Sequence, residues 1–173
     1  MYFPSHFKKH QAVTLPAPYL NGQDRGVLRP MPYGLRTVGN VGCGPISLYN
    51  AMIYLGMKPD FPRILRYMEL TSTPLFAAFG TFPFSMGYCL RHFGVQNRMT
   101  RSRKKLAAAQ CGILAFWTKR PIFSWGHFVF YVKQENGTYI VYNRYSNVEH
   151  PVEYNSLDEV MRPHCLIVGY VIR

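Results

Sequence analysis

Acidic residues are scarce in this 173-residue chain: eight Asp and Glu stand against twenty Lys and Arg, a formal charge of +12. The imbalance points toward anionic partners, although charge alone names none. Long apolar runs are missing as well. None reaches the roughly 18 to 20 residues that a membrane helix needs, and residues 1–30 hold no apolar signal core. The chain as given is therefore expected to be cytoplasmic, with no membrane span. It has no internal repeat, low-complexity tract or linker, which excludes solenoids and strings of modules. Charged residues are 16% of the chain and apolar ones 48%, so disorder and solvated coiled structure are excluded too.

Cysteine is sparse but informative. A chain of this length buries a full core without staples, so Cys43, Cys89, Cys111 and Cys165 read as reduced thiols. Cys89 and His92 at helical spacing, with His164 and Cys165, would make a four-ligand zinc set, but no paired short-spaced motif supports it. No metal or cofactor is expected. His92 reads as a helix residue packed on the core and His164 as a loop residue. The positive charge is densest from Arg98 to Lys105, where Arg98, Arg101, Arg103, Lys104 and Lys105 fall within eight residues. No zinc-finger, RNP or helix-turn-helix pattern surrounds them, so nucleic acid is not expected. The run reads as a solvated segment able to meet an acidic partner.

Along the chain, prolines 4, 16, 18 and 30 and weak periodicity make residues 1–34 an N-terminal arm, with no core element assigned there. Residues 35–173 form the single folded domain. Apolar positions over 45–55 predict a largely buried helix, stopped by Gly56 and Pro59. Shorter helices are predicted over 61–70 and 84–93, and a further one over 107–110. The pattern then turns to apolar, aromatic runs at 113–117, 128–132, 139–142 and 166–172, which predict strands. Helices first and an antiparallel sheet second make an α+β domain, its N-terminal helices packed against its C-terminal sheet.

The chemistry centres on Gly42-Cys43-Gly44-Pro45, directly before the best helix. A thiol there meets unpaired amides and the helix dipole, which favour a thiolate and can also donate to an oxyanion. The flanking glycines would let a substrate backbone approach the sulfur. A lone Cys is otherwise a small buried hydrophobe. What changes the balance is Gly126-His127 opening one strand and Asn143 closing the next, giving the order Cys, His, Asn: nucleophile, base, and a group to orient the imidazole. His127 and Asn143 share a sheet face only if the hairpin between them has an odd-length loop. A three-residue loop, 135–137 with Gly137 left-handed, pairs His127 with Tyr145 and brings Asn143 to the same face diagonally. Phe123, Trp125 and Phe128 flank the base as cleft lining or core.

The segment Val41-Gly42-Cys43-Gly44-Pro45-Ile46-Ser47-Leu48-Tyr49-Asn50-Ala51-Met52 resembles the nucleophile helix of the bacteriocin-processing, double-glycine-type cysteine peptidases and their standalone bacterial relatives, within the papain-like superfamily. The similarity continues through Gly80-Thr81-Phe82-Pro83, Leu90-Arg91-His92-Phe93-Gly94, Gly126-His127-Phe128-Val129 and Tyr142-Asn143. It implies a papain-like fold and a catalytic triad: Cys43 as nucleophile, His127 as base, and Asn143 where the family holds Asp or Asn. One departure stands out. The family places Gln six residues before the nucleophile to complete the oxyanion hole, and here that residue is Thr37; Asn40 and Thr37 are the substitute candidates. The resemblance implies a thiol peptidase acting on a peptide or protein. An acyltransferase, transglutaminase or deamidase would use the same residues, and a non-catalytic binder would be the outcome had the oxyanion donor been lost.

Overall fold

A computed structural model describes residues 9, 13–15, 18–73, 80–118, 126–162 and 165–173. Its centre is a six-stranded, fully antiparallel sheet in the order β3-β8-β4-β5-β6-β7. The strands are β3 (Asn97–Thr100), β4 (Cys111–Trp117), β5 (Gly126–Lys133), β6 (Tyr139–Tyr142), β7 (Val152–Tyr154) and β8 (Leu166–Ile172). A two-stranded ribbon, β1 (Pro32–Tyr33) and β2 (Arg36–Thr37), precedes them. Among the described residues no helix is long and apolar enough to cross a membrane.

Strand β4 shows why the sheet needs cover on both sides. Its side chains alternate between two apolar clusters: Ile113 and Ala115 enter one, Leu114 and Phe116 the other. The first cluster is closed by α2 (Cys43–Tyr54), α3 (Phe61–Thr71) and α4 (Met86–His92). Helix α2 is buried on every side from Cys43 to Met52, as expected of a helix apolar all round. Helix α3 buries the apolar stripe Phe61, Ile64, Leu65 and Met68 together with Glu69, and Asp60 caps it by accepting from the Arg63 N–H at 3.2 Å.

The second cluster lies under two short helices, α5 (Arg103–Ala107) and α6 (Leu157–Met161), which contribute Leu106, Leu157, Val160 and Met161. Here the structure departs from expectation. The helix expected at 107–110 lies earlier, because Ser102 caps it by accepting from the Lys105 N–H at 3.4 Å. Residues 97–100 are an edge strand inside the basic run, and α6 was not anticipated at all. The α6 signal was present as Ser156 with Glu159 three residues on. The Ser156 hydroxyl accepts from the Glu159 N–H, and the Glu159 carboxylate accepts from the Asn155 N–H.

The proline-rich arm also does more than its sequence suggests, since Leu20, Leu28 and Met31 are buried in the first cluster. Asn50 on α2 acts as a surrogate strand for it. Its Oδ1 accepts from the Leu20 N–H at 2.8 Å, and its Nδ2 donates to the Leu20 carbonyl at 2.9 Å. This holds the arm across the helix that carries Cys43 and brings Asn21, Gln23 and Asp24 to the end of the sheet.

Candidate active site

Cys43 is the first residue of α2, and Gly42 precedes it at φ −84° and ψ 6°. A four-residue helix, α1 (Val38–Val41), runs almost directly into it. The Cys43 sulfur is reached by its own N–H, by that of Gly44 and by that of Phe128, the neighbour of His127 on β5. Cys43 and His127 line one cleft of about 280 Å³, whose other walls include Gln23, Asn40, Thr81 and Ser146.

Two expectations about Cys43 are corrected. The thiol was expected to be acidified by its helix start. Instead burial dominates and pushes it from 9.0 up to about 11, with the three amides pulling the other way. The flanking glycines do not clear a path for substrate either. A Cβ on Gly44 would overlap the Thr81 side chain, and one on Gly42 would overlap Val38, so both serve the close packing of the chain against itself.

The buried thiol has a consequence for stability. Above pH 9 an unfolded chain loses the Cys43 proton while the folded chain keeps it until about pH 11, so the unfolded state binds fewer protons and stability falls as pH rises. Two units correspond to about 3 kcal/mol at most. Urea midpoints measured at pH 8 and pH 10.5 are expected to show a smaller alkaline loss in Cys43→Ala than in the wild type. Equal losses would rule out Cys43 as a source.

On the base side, the hairpin between β5 and β6 has the three-residue loop that the sequence required. Lys133 pairs with Tyr139, Gln134 N–H donates to the Thr138 carbonyl at 2.8 Å, and Gly137 is left-handed at φ 87°. Regular pairing ends at Phe130 with Tyr142. Asn143 then leaves the strand at φ 57°, the one non-glycine residue in that region among the described residues.

That turn changes what Asn143 does. Its side chain was expected to orient His127, yet the amide is bound elsewhere. Oδ1 accepts from the Gln23 N–H at 3.2 Å and Nδ2 donates to Gln23 Oε1 at 3.1 Å. It is the Asn143 main-chain oxygen that meets His127 Nε2, at 2.7 Å. A carbonyl oxygen only accepts, so Nε2 carries the proton and the neutral ring has its lone pair on Nδ1. The ring also stands edge-on to Phe116, with centroids 5.8 Å apart.

Gln23 is the residue the sequence gave no reason to select. It is buried, and beyond its pair of bonds to Asn143 it donates from Nε2 to the Gly39 carbonyl at 3.1 Å. One arm residue thus ties the base's support to the helix that leads into the nucleophile. Asn21 adds a second tie, accepting from the Asn143 N–H at 2.9 Å. No local signal marks either residue, because their partners lie about 120 positions away.

Of the two oxyanion candidates, Asn40 lines the cleft, whereas Thr37 is not among its described lining residues and its hydroxyl donates to Asn40 Oδ1 at 3.0 Å. His92 is an exposed α4 residue stacked on Tyr67 at 3.6 Å between centroids. Cys89 is buried with its sulfur 2.7 Å from the Ser72 hydroxyl, and Cys165 is exposed. Phe128 belongs to the first core cluster, while Phe123, Trp125 and His164 lie outside the described residues. Among the described residues no three His, Cys, Asp or Glu side chains gather as metal ligands.

No protein-family model matches the sequence, and no curated protein does. Among solved structures the chain is similar to the peptidase domain of Streptococcus ComA, described as a bi-functional ABC transporter involved in a quorum-sensing pathway. The TM-score is 0.55 over 75% of this chain and 89% of that one, at 14% sequence identity. The class this defines is that of the papain-like fold, an α+β arrangement of helices on an antiparallel sheet.

Proposed function

We propose that this protein is a cysteine peptidase in which Cys43 attacks a peptide carbonyl and His127 manages the proton. The observation carrying this reading is the placement of Cys43, at a helix start, and His127, with its tautomer fixed, on the walls of one cleft. Because burial keeps the resting thiol protonated, His127 Nδ1 takes the Sγ proton as the carbon–sulfur bond forms. The oxyanion is met by the amide of Cys43 and the side chain of Asn40. His127 then protonates the leaving amine as the peptide bond breaks. Water attacks the resulting thioester, with His127 again as base, to release the acid. Asn143 contributes its carbonyl oxygen, and the Gln23 pair holds that oxygen in place.

A second reading has its own support: a thiol raised to about 11 and a Thr where the family carries Gln fit a binding protein that has lost turnover. Cys165 provides the internal control. A generic alkylating agent follows exposure and reacts with Cys165 before buried Cys43. A peptidyl chloromethyl ketone, which must occupy the cleft and react as His127 takes the Cys43 proton, is expected to modify Cys43 first, as read by peptide mass mapping. If it too modifies Cys165 and leaves Cys43 untouched, the peptidase reading fails and the binding protein stands. An acyltransferase or deamidase would pass the same test, and added amine acceptors separate transfer from hydrolysis by product mass.

A further inference from the structure

A second pocket of about 280 Å³ lies away from the cleft, between the edge strand β3, the end of β8 and the residues following α5. Three cations line it: Arg98, Lys105 and Arg173. Arg98 pairs with Val171 and Thr100 with Gly169 across the β3–β8 ladder, and the Arg173 N–H donates to the Gln96 carbonyl at 3.1 Å, extending it. Alternate residues share a face, so Arg98, Thr100, Val171 and Arg173 stand on one side. Val171 packs with the cluster that contains Leu106 of α5, which makes this the face opposite the nucleophile helix.

The basic run of the sequence is divided by the fold. Arg101 Nε donates to the Ile167 carbonyl at 3.0 Å, and Arg103 pairs with Asp158 at 2.9 Å. Those two cations serve the structure. Arg98 and Lys105 instead converge with Arg173, which is remote in sequence, around a pocket whose lining, among the described residues, has no Asp or Glu. The ion pairs of the described residues use Arg25, Arg29 and Arg103, not these three. Thr100 is set to join them: its Oγ1 accepts from the Ser102 N–H at 3.1 Å, so its own proton is available to an oxygen acceptor.

We propose that this pocket binds a small anion bearing a diphosphate group. Two guanidinium forks and an ammonium suit phosphate oxygens and match the charge of a diphosphate, where a single carboxylate would leave two cations unmet. Like charges gathered in a concave site, with no acidic side chain among the described residues that line it, focus the field on such a ligand. Ala108, Ala109 and Val171 supply an apolar wall for whatever the diphosphate carries.

The proposal does not depend on the peptidase reading, and its test does not involve Cys43. Calorimetric titration of the full chain with pyrophosphate is expected to show saturable one-to-one binding. Arg98→Ala, Lys105→Ala and Arg173→Ala should each weaken it at least about tenfold, while Lys58→Ala and Lys104→Ala, exposed cations outside the pocket, change it less than about twofold. All five side chains are exposed, and unchanged melting temperatures would confirm intact folds. Orthophosphate should bind more weakly. ADP binding more tightly than pyrophosphate would identify a nucleotide as the source, and equal binding would identify an inorganic diphosphate; the diphosphate site stands in both cases. Three results would overturn it: no saturation, equal weakening by all five substitutions, or an acidic peptide or RNA oligonucleotide binding where pyrophosphate does not.

Discussion

His127→Ala is expected to slow modification of Cys43 by a peptidyl chloromethyl ketone about 100- to 10,000-fold at pH 7, the usual contribution of a positioned base. The size follows from the thiol's environment. With Cys43 pushed up to about 11, only about one resting molecule in ten thousand carries a thiolate at neutral pH. The helix start is too weak to change that, because desolvation outweighs the three amides facing the sulfur. Reaction therefore relies on proton removal during attack, and the only base assigned to it is a ring whose tautomer is set by the Asn143 carbonyl at 2.7 Å. The pH profile distinguishes this from simple misfolding. In His127→Ala the rate should climb about tenfold per pH unit toward pH 11, limited by spontaneous ionisation. In the wild type it should be far higher at pH 7 and change much less with pH over the same range. Equal rates and equal profiles in the two proteins would remove His127 from the mechanism.

How much of this was legible in the sequence depends on whether a role is carried by a side chain or by the main chain. The place of Cys43 at a helix start was legible because Gly-Cys-Gly-Pro ahead of an apolar helix is a local pattern, and β6 and β8 were read to the residue for the same reason. The hairpin loop was legible because register is a parity problem, and only an odd loop lets Asn143 approach the base. Parity did not reveal how Asn143 would be used. A left-handed residue turns its side chain away from the strand and presents its carbonyl instead, and a carbonyl has no residue code. Asn is among the residues that tolerate that conformation, which is the one hint the sequence contained. Gln23 and Asn21 stayed hidden because they act through contacts across the whole chain. The edge strand β3 stayed hidden because Asn97-Arg98-Met99-Thr100 lacks the apolar alternation of a half-buried strand. Arg98 to Thr100 were read only as the start of the basic run, which is why the gathering of Arg98 with Arg173 could be found only in three dimensions.

The oxyanion donor is the second point on which the proposed peptidase activity depends, and Asn40 carries the expectation. The peptidase family that the sequence resembles carries a Gln six residues ahead of the nucleophile for this role, and the Thr37 found here has a shorter side chain and is not among the described residues that line the cleft. Its hydroxyl acts instead on Asn40. By donating to Oδ1 at 3.0 Å it occupies the amide oxygen, which leaves Nδ2 as the group that would donate to an oxyanion. Helix α1 ends at its cap Gly42, directly before Cys43, and Asn40, three residues ahead of the nucleophile, lines the same cleft. Asn40→Ala is expected to lower kcat by about 100- to 1,000-fold with little change in KM, because the donor matters only once charge develops on the oxygen. Asn40→Asp keeps the shape and removes the donor, and should do the same. Thr37→Val should cost much less, since it loosens the amide without deleting it. Should Asn40→Ala leave kcat within about twofold, the amides of Cys43 and Gly44 carry the oxyanion alone. The Thr at position 37 would then mark a reaction with smaller demands on that hole than peptide hydrolysis makes.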